Sequence, residues 1–201
     1  MLVSAILSRD EYLNTEYKNQ PDTTKLLHAV RYAAHQHRTQ KRKGPDGSPY
    51  INHPVEAAEI LTSIGGITDI DVLRAAVLHD TVEDTDSTKE ELTQEFSPEV
   101  AALVMEVTDN KSLPKAERKR LQIEHTRTMS HGARLIKIAD KICNVREVLH
   151  SPPDGWVIER RREYVEWAAK VVDGCRGSNT ELEKHFDTIL QQAREAFAPE
   201  E

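Results

Sequence analysis

The chain is short of several things, and each shortage removes a class of protein. It holds two cysteines in 201 residues, Cys143 and Cys175, too few for a disulfide framework. Eight glycines and nine prolines exclude collagen-like and low-complexity chains. Aromatic residues make up 5 %, so the core has to come from leucine, isoleucine, valine and alanine. No apolar run nears the roughly 18 residues that a membrane-spanning helix requires. The opening Met1 to Leu7 has no basic leader and is soon followed by Asp10, Glu11 and Glu16, a poor match to a signal or transit peptide. A cytoplasmic protein without a membrane partner is the expectation. Positive charge is also in deficit: 27 Lys and Arg stand against 34 Asp and Glu, a formal net charge of −7. A general nucleic-acid binder would be basic, so no nucleic-acid partner is expected.

The positive charge that is present falls in two clusters. Arg38, Lys41, Arg42 and Lys43 form one, and Lys111, Lys115, Arg118, Lys119 and Arg120 the other. Two basic spots on an acidic chain suit a small, phosphate-rich ligand, although solvated helix faces would look the same. Nearly every segment has helical periodicity. Leu26, Leu27, Val30, Ala33 and Ala34 recur at three- and four-residue spacing and predict a helix over 24–39. The turn-rich 43–49 follows, then a helix from Pro54 to about Ile64, ended by Gly65-Gly66. One continuous helix is expected over 69–83. Thr88-x-x-Glu91 reads as a capping box and Ser97-Pro98-Glu99 as a second helix start. Pro114 opens a charged helix to His125, and Leu135, Ile138, Ala139, Ile142 and Val145 mark one face of a long helix ending near Leu149. After the turn 151–155 come helices over 156–172 and 178–196, the last with Ser178-x-x-Glu181 as its cap. The prediction is an all-α fold of about eight to ten helices, with residues 1–21 an extension and 22–201 one domain. His28, His35 and His37 read as surface or first-helix residues, Trp156 and Trp167 as packing, and both cysteines as inert buried thiols.

Chemistry concentrates in Leu78-His79-Asp80-Thr81-Val82-Glu83-Asp84. A His-Asp pair alone means little. Here Ala75 to Leu78 lead into it, so the pair sits at the end of a buried helix, where charge needs a partner such as a metal ion. Glu83 and Asp84 lie one turn beyond His79 and Asp80. His53, at a helix start, and Asp140, between apolar positions, complete a set of imidazole and carboxylate donors without thiolate. Such a set suits Mn²⁺, Fe²⁺ or a catalytic Zn²⁺. The bland alternatives are a capping role for His53 and a pairing of Asp140 with Lys137 or Lys141.

The order His53, His79-Asp80, Asp140 resembles the metal ligands of the HD-domain phosphohydrolases. Longer stretches resemble one branch, the small alarmone hydrolases of the RelA/SpoT superfamily. They are Arg42-Lys43, Gly47-x-Pro49-Tyr50-Ile51-Asn52-His53-Pro54, Gly66-Ile67-Thr68-Asp69, the run from Leu78 to Asp86, Glu106-Val107-Thr108-Asp109, Leu113-Pro114-Lys115-x-Glu117-Arg118-Lys119-Arg120, Ala139-Asp140-Lys141 and Glu166-Trp167-Ala168-Ala169. The likeness runs from about Thr24 to Glu183. It departs at residues 1–21 and at Cys143 and Val145, where bulkier apolar residues would be expected around Asn144. The resemblance implies an HD-type helical bundle without the synthetase domain of longer relatives. It also implies hydrolysis of the 3′-pyrophosphate of guanosine tetra- and pentaphosphate, with one Mn²⁺ per chain. His53, His79, Asp80 and Asp140 would then hold the metal, and Glu83 and Asp84 would position water and manage its proton. Asn144 would bond the water or ribose, Arg42, Lys43, Lys115 and Arg118 would bind phosphate, and Tyr50 and Tyr164 would line the nucleoside pocket. Two other functions fit the same residues: removal of another ribose phosphate, such as the 2′-phosphate of NADPH, and a non-catalytic nucleotide sensor.

Overall fold

A computed structural model describes residues 19–199 of the chain, so most of the expected 1–21 extension lies outside the described residues. Ten helices occur among them: α1 (Asp22–Gln36), α2 (Asn52–Ser63), α3 (Ile70–Leu78), α4 (Thr81–Asp84), α5 (Lys89–Glu95), α6 (Pro98–Val107), α7 (Lys115–His125), α8 (His131–His150), α9 (Ile158–Asp173) and α10 (Thr180–Ala196). The one extended pairing described is an isolated antiparallel bridge between Lys41 and Pro49. It closes the loop after α1, where Gly47 turns the chain at a φ of 53° that a side chain would resist.

Local chemistry sets the helix starts. The Asp69 carboxylate accepts from the amides of Asp71 and Val72 and caps α3. Thr88 and Glu91 form a reciprocal capping box on α5. Ser97 with Pro98 starts α6, and the Ser130 hydroxyl caps α8. At α10 the cap is Asn179, not the expected Ser178: its side-chain oxygen accepts from the Glu181 and Leu182 amides. The reason is reach. The Ser178 amide is bonded by the Glu183 carboxylate instead, and its hydroxyl has no partner.

The long helix α8 is the axis of the bundle. It packs against α2, α3, α6, α9 and α10, and twelve of its twenty residues are buried. Ile136, Ile138, Ile142 and Val145 are fully enclosed there. Helix α3 is buried from Val72 through Leu78 and lies between α1, α2 and α6. The outer α7 contrasts with both: it has no buried residue and leans mainly on α9.

The expected continuous helix over 69–83 is broken after Leu78. The Thr81 hydroxyl donates to the Leu78 carbonyl at 2.7 Å, and His79 Nδ1 donates to the Ala76 carbonyl at 2.7 Å. Short polar side chains here compete with the backbone ladder for its carbonyls, and the chain turns at His79-Asp80 before resuming as α4. The break matters because it aims His79, Asp80, Glu83 and Asp84 into a single cavity.

Candidate active site

Four elements bring the reactive groups together. His53 is the second residue of α2, His79 and Asp80 occupy the break between α3 and α4, and Asp140 comes from the middle of α8. Their donor atoms converge. His53 Nε2 lies 3.2 Å from Asp140 Oδ1 and 3.7 Å from Asp80 Oδ2. His79 Nε2 lies 3.1 Å from Asp80 Oδ2 and 3.8 Å from Asp140 Oδ1. All four side chains are buried or nearly so.

These residues fit a divalent metal on two grounds. Ligand atoms sharing one ion at about 2.1 Å stand about 3–4 Å apart; those of His53, His79 and Asp80 lie within 4.8 Å of one another, and Asp140 Oδ1 approaches both imidazoles. In addition, the His79 ring spends Nδ1 on the Ala76 carbonyl, while its buried Nε2 has no hydrogen-bond partner. A backbone bond on one ring nitrogen that frees the other is the usual setting of a metal-binding imidazole. Electrostatics agree. Burial opposes the imidazolium of His79, yet the neighbouring Asp80 and Asp140 outweigh it and push the group up to about 10. The point of convergence therefore favours positive charge. His53 is pushed down by burial and enters as a neutral donor. Both carboxylates are further fixed: Tyr50 donates its hydroxyl to Asp80 Oδ2 at 2.7 Å, and Lys141 donates to Asp140 Oδ2 at 2.8 Å. Asn144 donates to the other Asp140 oxygen. Of the two bland pairings for Asp140, the one with Lys141 is present alongside the cluster.

Glu83 and Asp84 stand beside this cluster, each held differently. Glu83 Oε2 accepts from the Asp109 amide at 3.0 Å, and the Arg118 guanidinium comes to 3.8 Å of its other oxygen. Burial, with Asp109, Asp80 and Asp84 nearby, pushes Glu83 up to about 7, a value poised for proton transfer at neutral pH. Asp84 is engaged on both sides, by the Tyr50 hydroxyl at 3.1 Å and by the Lys111 ammonium. The Gln40 side chain donates to its backbone carbonyl.

The four converging residues, with Tyr50, Glu83, Asp84 and Asp109, open onto a cavity of about 650 Å³. Its cationic wall combines Lys43, Lys115, Arg118, Lys119 and Arg160, and its aromatic wall Trp156, Tyr164 and Trp167. Burial and the neighbouring charges of Arg160, Lys43 and Arg118 lower the pKa of Lys115, so these cations face a common space. An adjoining cavity of about 430 Å³ shares Lys43, Tyr50, Asp84, Asn144, Trp156 and Tyr164 with the first. Arg42 lines that second space, where it forms an ion pair with Glu147 and donates to Asn144 at 3.0 Å. Of the sequence candidates, His53, His79, Asp80, Asp140, Glu83, Asp84, Asn144, Lys43, Tyr50, Lys115, Arg118 and Tyr164 thus all line the main cavity.

The architecture and the cluster match a known family. The family described as HD domain matches residues 29–166, well over half of the chain. A curated relative from Danio rerio, guanosine-3′,5′-bis(diphosphate) 3′-pyrophosphohydrolase MESH1, is 52 % identical over 86 % of this chain and 96 % of its own length. The chain belongs to the HD-domain family, in its MESH1 branch. The Homo sapiens MESH1 is also 52 % identical, over 85 % of this chain and 96 % of its own. A solved structure described as a metazoan orthologue of SpoT that hydrolyses ppGpp superposes with a TM-score of 0.81 at 50 % identity, covering 84 % of this chain and 94 % of that one.

Sequence reasoning missed several residues of this HD-domain cavity. Trp156 and Trp167 do pack on the core as expected, but both also line the cavity. With Arg160, Glu163 and Tyr164 they recur at helical spacing along 156–167, a stripe that periodicity alone could have flagged. Lys119 stacks over Trp167 at 4.7 Å from the ring centre, and Lys141 over the same ring at 4.6 Å. His28 and His37 are buried: His28 meets Glu95 at 2.8 Å, and His37 bonds Gln40 and packs against the Tyr50 ring. Both cysteines are buried and unpaired, as predicted.

Proposed function

We propose that this chain hydrolyses the 3′-pyrophosphate of guanosine tetra- and pentaphosphate, giving GDP or GTP and pyrophosphate. The observation that carries the reading is the convergence of two imidazole and two carboxylate donors on the floor of a cavity whose wall is cationic and aromatic. The activity for which the MESH1 relatives are named supports the substrate class.

His53, His79, Asp80 and Asp140 would hold one Mn²⁺. Such an ion lowers the pKa of water and offsets charge on the phosphoryl group. Glu83 accepts a proton from the attacking water, a role suited to a carboxylate near 7. Asp84 orients that water, held by Tyr50 and Lys111. The new bond joins the water oxygen to the phosphorus carried by the ribose 3′ oxygen. The bond from that phosphorus to the 3′ oxygen breaks, and the oxygen takes up a proton. Lys43, Lys115 and Arg118 bind phosphate oxygens. Asn144, which lines both cavities, contacts the water or ribose, and Arg42, bonded to it from the adjoining cavity, binds phosphate. Tyr164 and Tyr50 frame the nucleoside.

The test is pyrophosphate release from guanosine tetraphosphate by metal-stripped protein, with and without Mn²⁺. Release that depends on Mn²⁺ and is lost in Asp80→Ala supports the reading. No release by folded, Mn²⁺-loaded protein overturns it, and NADPH is then the next substrate to assay.

A further inference from the structure

Lys137 has no part in the reaction described so far, and its position is unusual. It lies in the most enclosed stretch of α8, between Ile136 and Ile138, each 0 % exposed, and is itself only 5 % exposed. An ammonium is expensive to place there unless it is paired. Among the described residues it makes no ion pair: of the two lysines that could have paired with Asp140, Lys141 does so, and the one hydrogen bond of Lys137 goes to the Val107 carbonyl at 2.8 Å. Burial and the neighbouring Lys141 lower its pKa, and an arriving anion favours the ammonium, whose three N–H donors leave two unspent beyond the Val107 bond. The residue also lines the main cavity.

The register of α8 explains how a core-facing lysine reaches the site. Lys137, Asp140, Lys141 and Asn144 follow one another at three- and four-residue steps, a single stripe toward the cavity. Lys137 ends that stripe on the side of Glu83. Val107, which receives its bond, stands two residues before Asp109, whose amide holds Glu83. One short segment thus anchors both the buried ammonium and the carboxylate poised for proton transfer.

We propose that Lys137 is an anion-contact residue of this site, donating its two unspent N–H groups to the phosphate oxygens that depart as pyrophosphate. The proposal rests on the phosphohydrolase reading above. The competing account is that Lys137 merely caps the end of α6 through Val107. A cap needs only one donor and works from a solvated surface, whereas this lysine is enclosed and faces the cavity.

The test compares wild type with Lys137→Met, similar in length and uncharged, and Lys137→Gln, which keeps a donor for Val107. Melting temperature, turnover of guanosine tetraphosphate with Mn²⁺, and calorimetric binding of inorganic pyrophosphate with Mn²⁺ are measured on each. Lys137→Met is expected to melt at or above wild type, since a buried charge has been replaced by an apolar chain. Both variants are expected to lose about 10- to 100-fold in pyrophosphate affinity and in kcat/KM, the range for a hydrogen bond to a charged group. Unchanged pyrophosphate affinity in either folded variant overturns the proposal. So does a steep fall in melting temperature for Lys137→Met with full function in Lys137→Gln, the signature of a cap. Wild type that binds pyrophosphate through Lys137 but does not release it from guanosine tetraphosphate overturns the substrate assignment and leaves the lysine's role supported.

Discussion

Glu83 shows how a residue acquires a function from its surroundings. Nothing in the residue type separates it from the other acids of the chain; burial and a ring of like charges push it up to about 7. Activity needs the charged carboxylate, so the rate should fall as pH drops through that pKa. Glu83→Gln is expected to lower kcat by about 10²- to 10⁴-fold and to remove that acid limb, as read from pH–rate profiles. Stability moves the other way. A folded-state pKa above the ordinary glutamate value of 4.5 means the folded metal-free chain binds more protons than the unfolded one between 4.5 and about 7. Metal-free wild type should therefore lose stability as pH rises across that window and level off above it. Glu83→Gln should lack that slope in urea titrations. The acids and histidines that converge on the cavity were legible from their order in the chain, because helical ends and neighbouring apolar residues marked them as enclosed. Lys137 was not, because a lysine three residues before an aspartate looks like its partner, and only the fold shows that its ammonium goes to Val107.

Among elements, the helices were readable and their ends less so. Periodicity located nearly all of them, since apolar spacing survives any detail of packing. It failed at His79-Asp80, where Thr81 and His79 take backbone carbonyls that the helix would have used. That failure coincides with the reactive residues, a place where local strength gives way to placement. The cap of α10 is a second case. Asn179 both caps the helix and donates to the Gly65 carbonyl at 2.9 Å, tying α10 to the end of α2. Asn179→Ala is expected to lower stability by about 1 kcal/mol or more. Ser178→Ala, which removes a buried hydroxyl without a partner, should stay within about 0.5 kcal/mol of wild type or gain. Chemical denaturation of the two variants separates the assignments.

At the scale of the whole molecule, the cluster of His53, His79, Asp80 and Asp140 ties α2 and α8 to the break between α3 and α4. A ligand that binds the folded chain alone stabilises it by mass action. Mn²⁺ at about a hundred times its dissociation constant should add about 2.7 kcal/mol. For a chain of this length that raises the melting temperature by about 5–10 °C. A chelator should reverse the shift, and Asp80→Ala should abolish it; an equal shift in that variant would place the ion elsewhere. The cavity has a further asymmetry. Asp140, Lys141 and Asn144 are set in α8, which touches five other helices. Lys115, Arg118 and Lys119 ride on α7, which buries nothing. Changes on α8 disturb the fold and the reaction at once, whereas changes on α7 alter what the cavity welcomes and leave the scaffold standing. Descendants of this chain selected on a new phosphorylated compound should therefore collect their first substitutions along α7, with the reactive floor inherited unaltered.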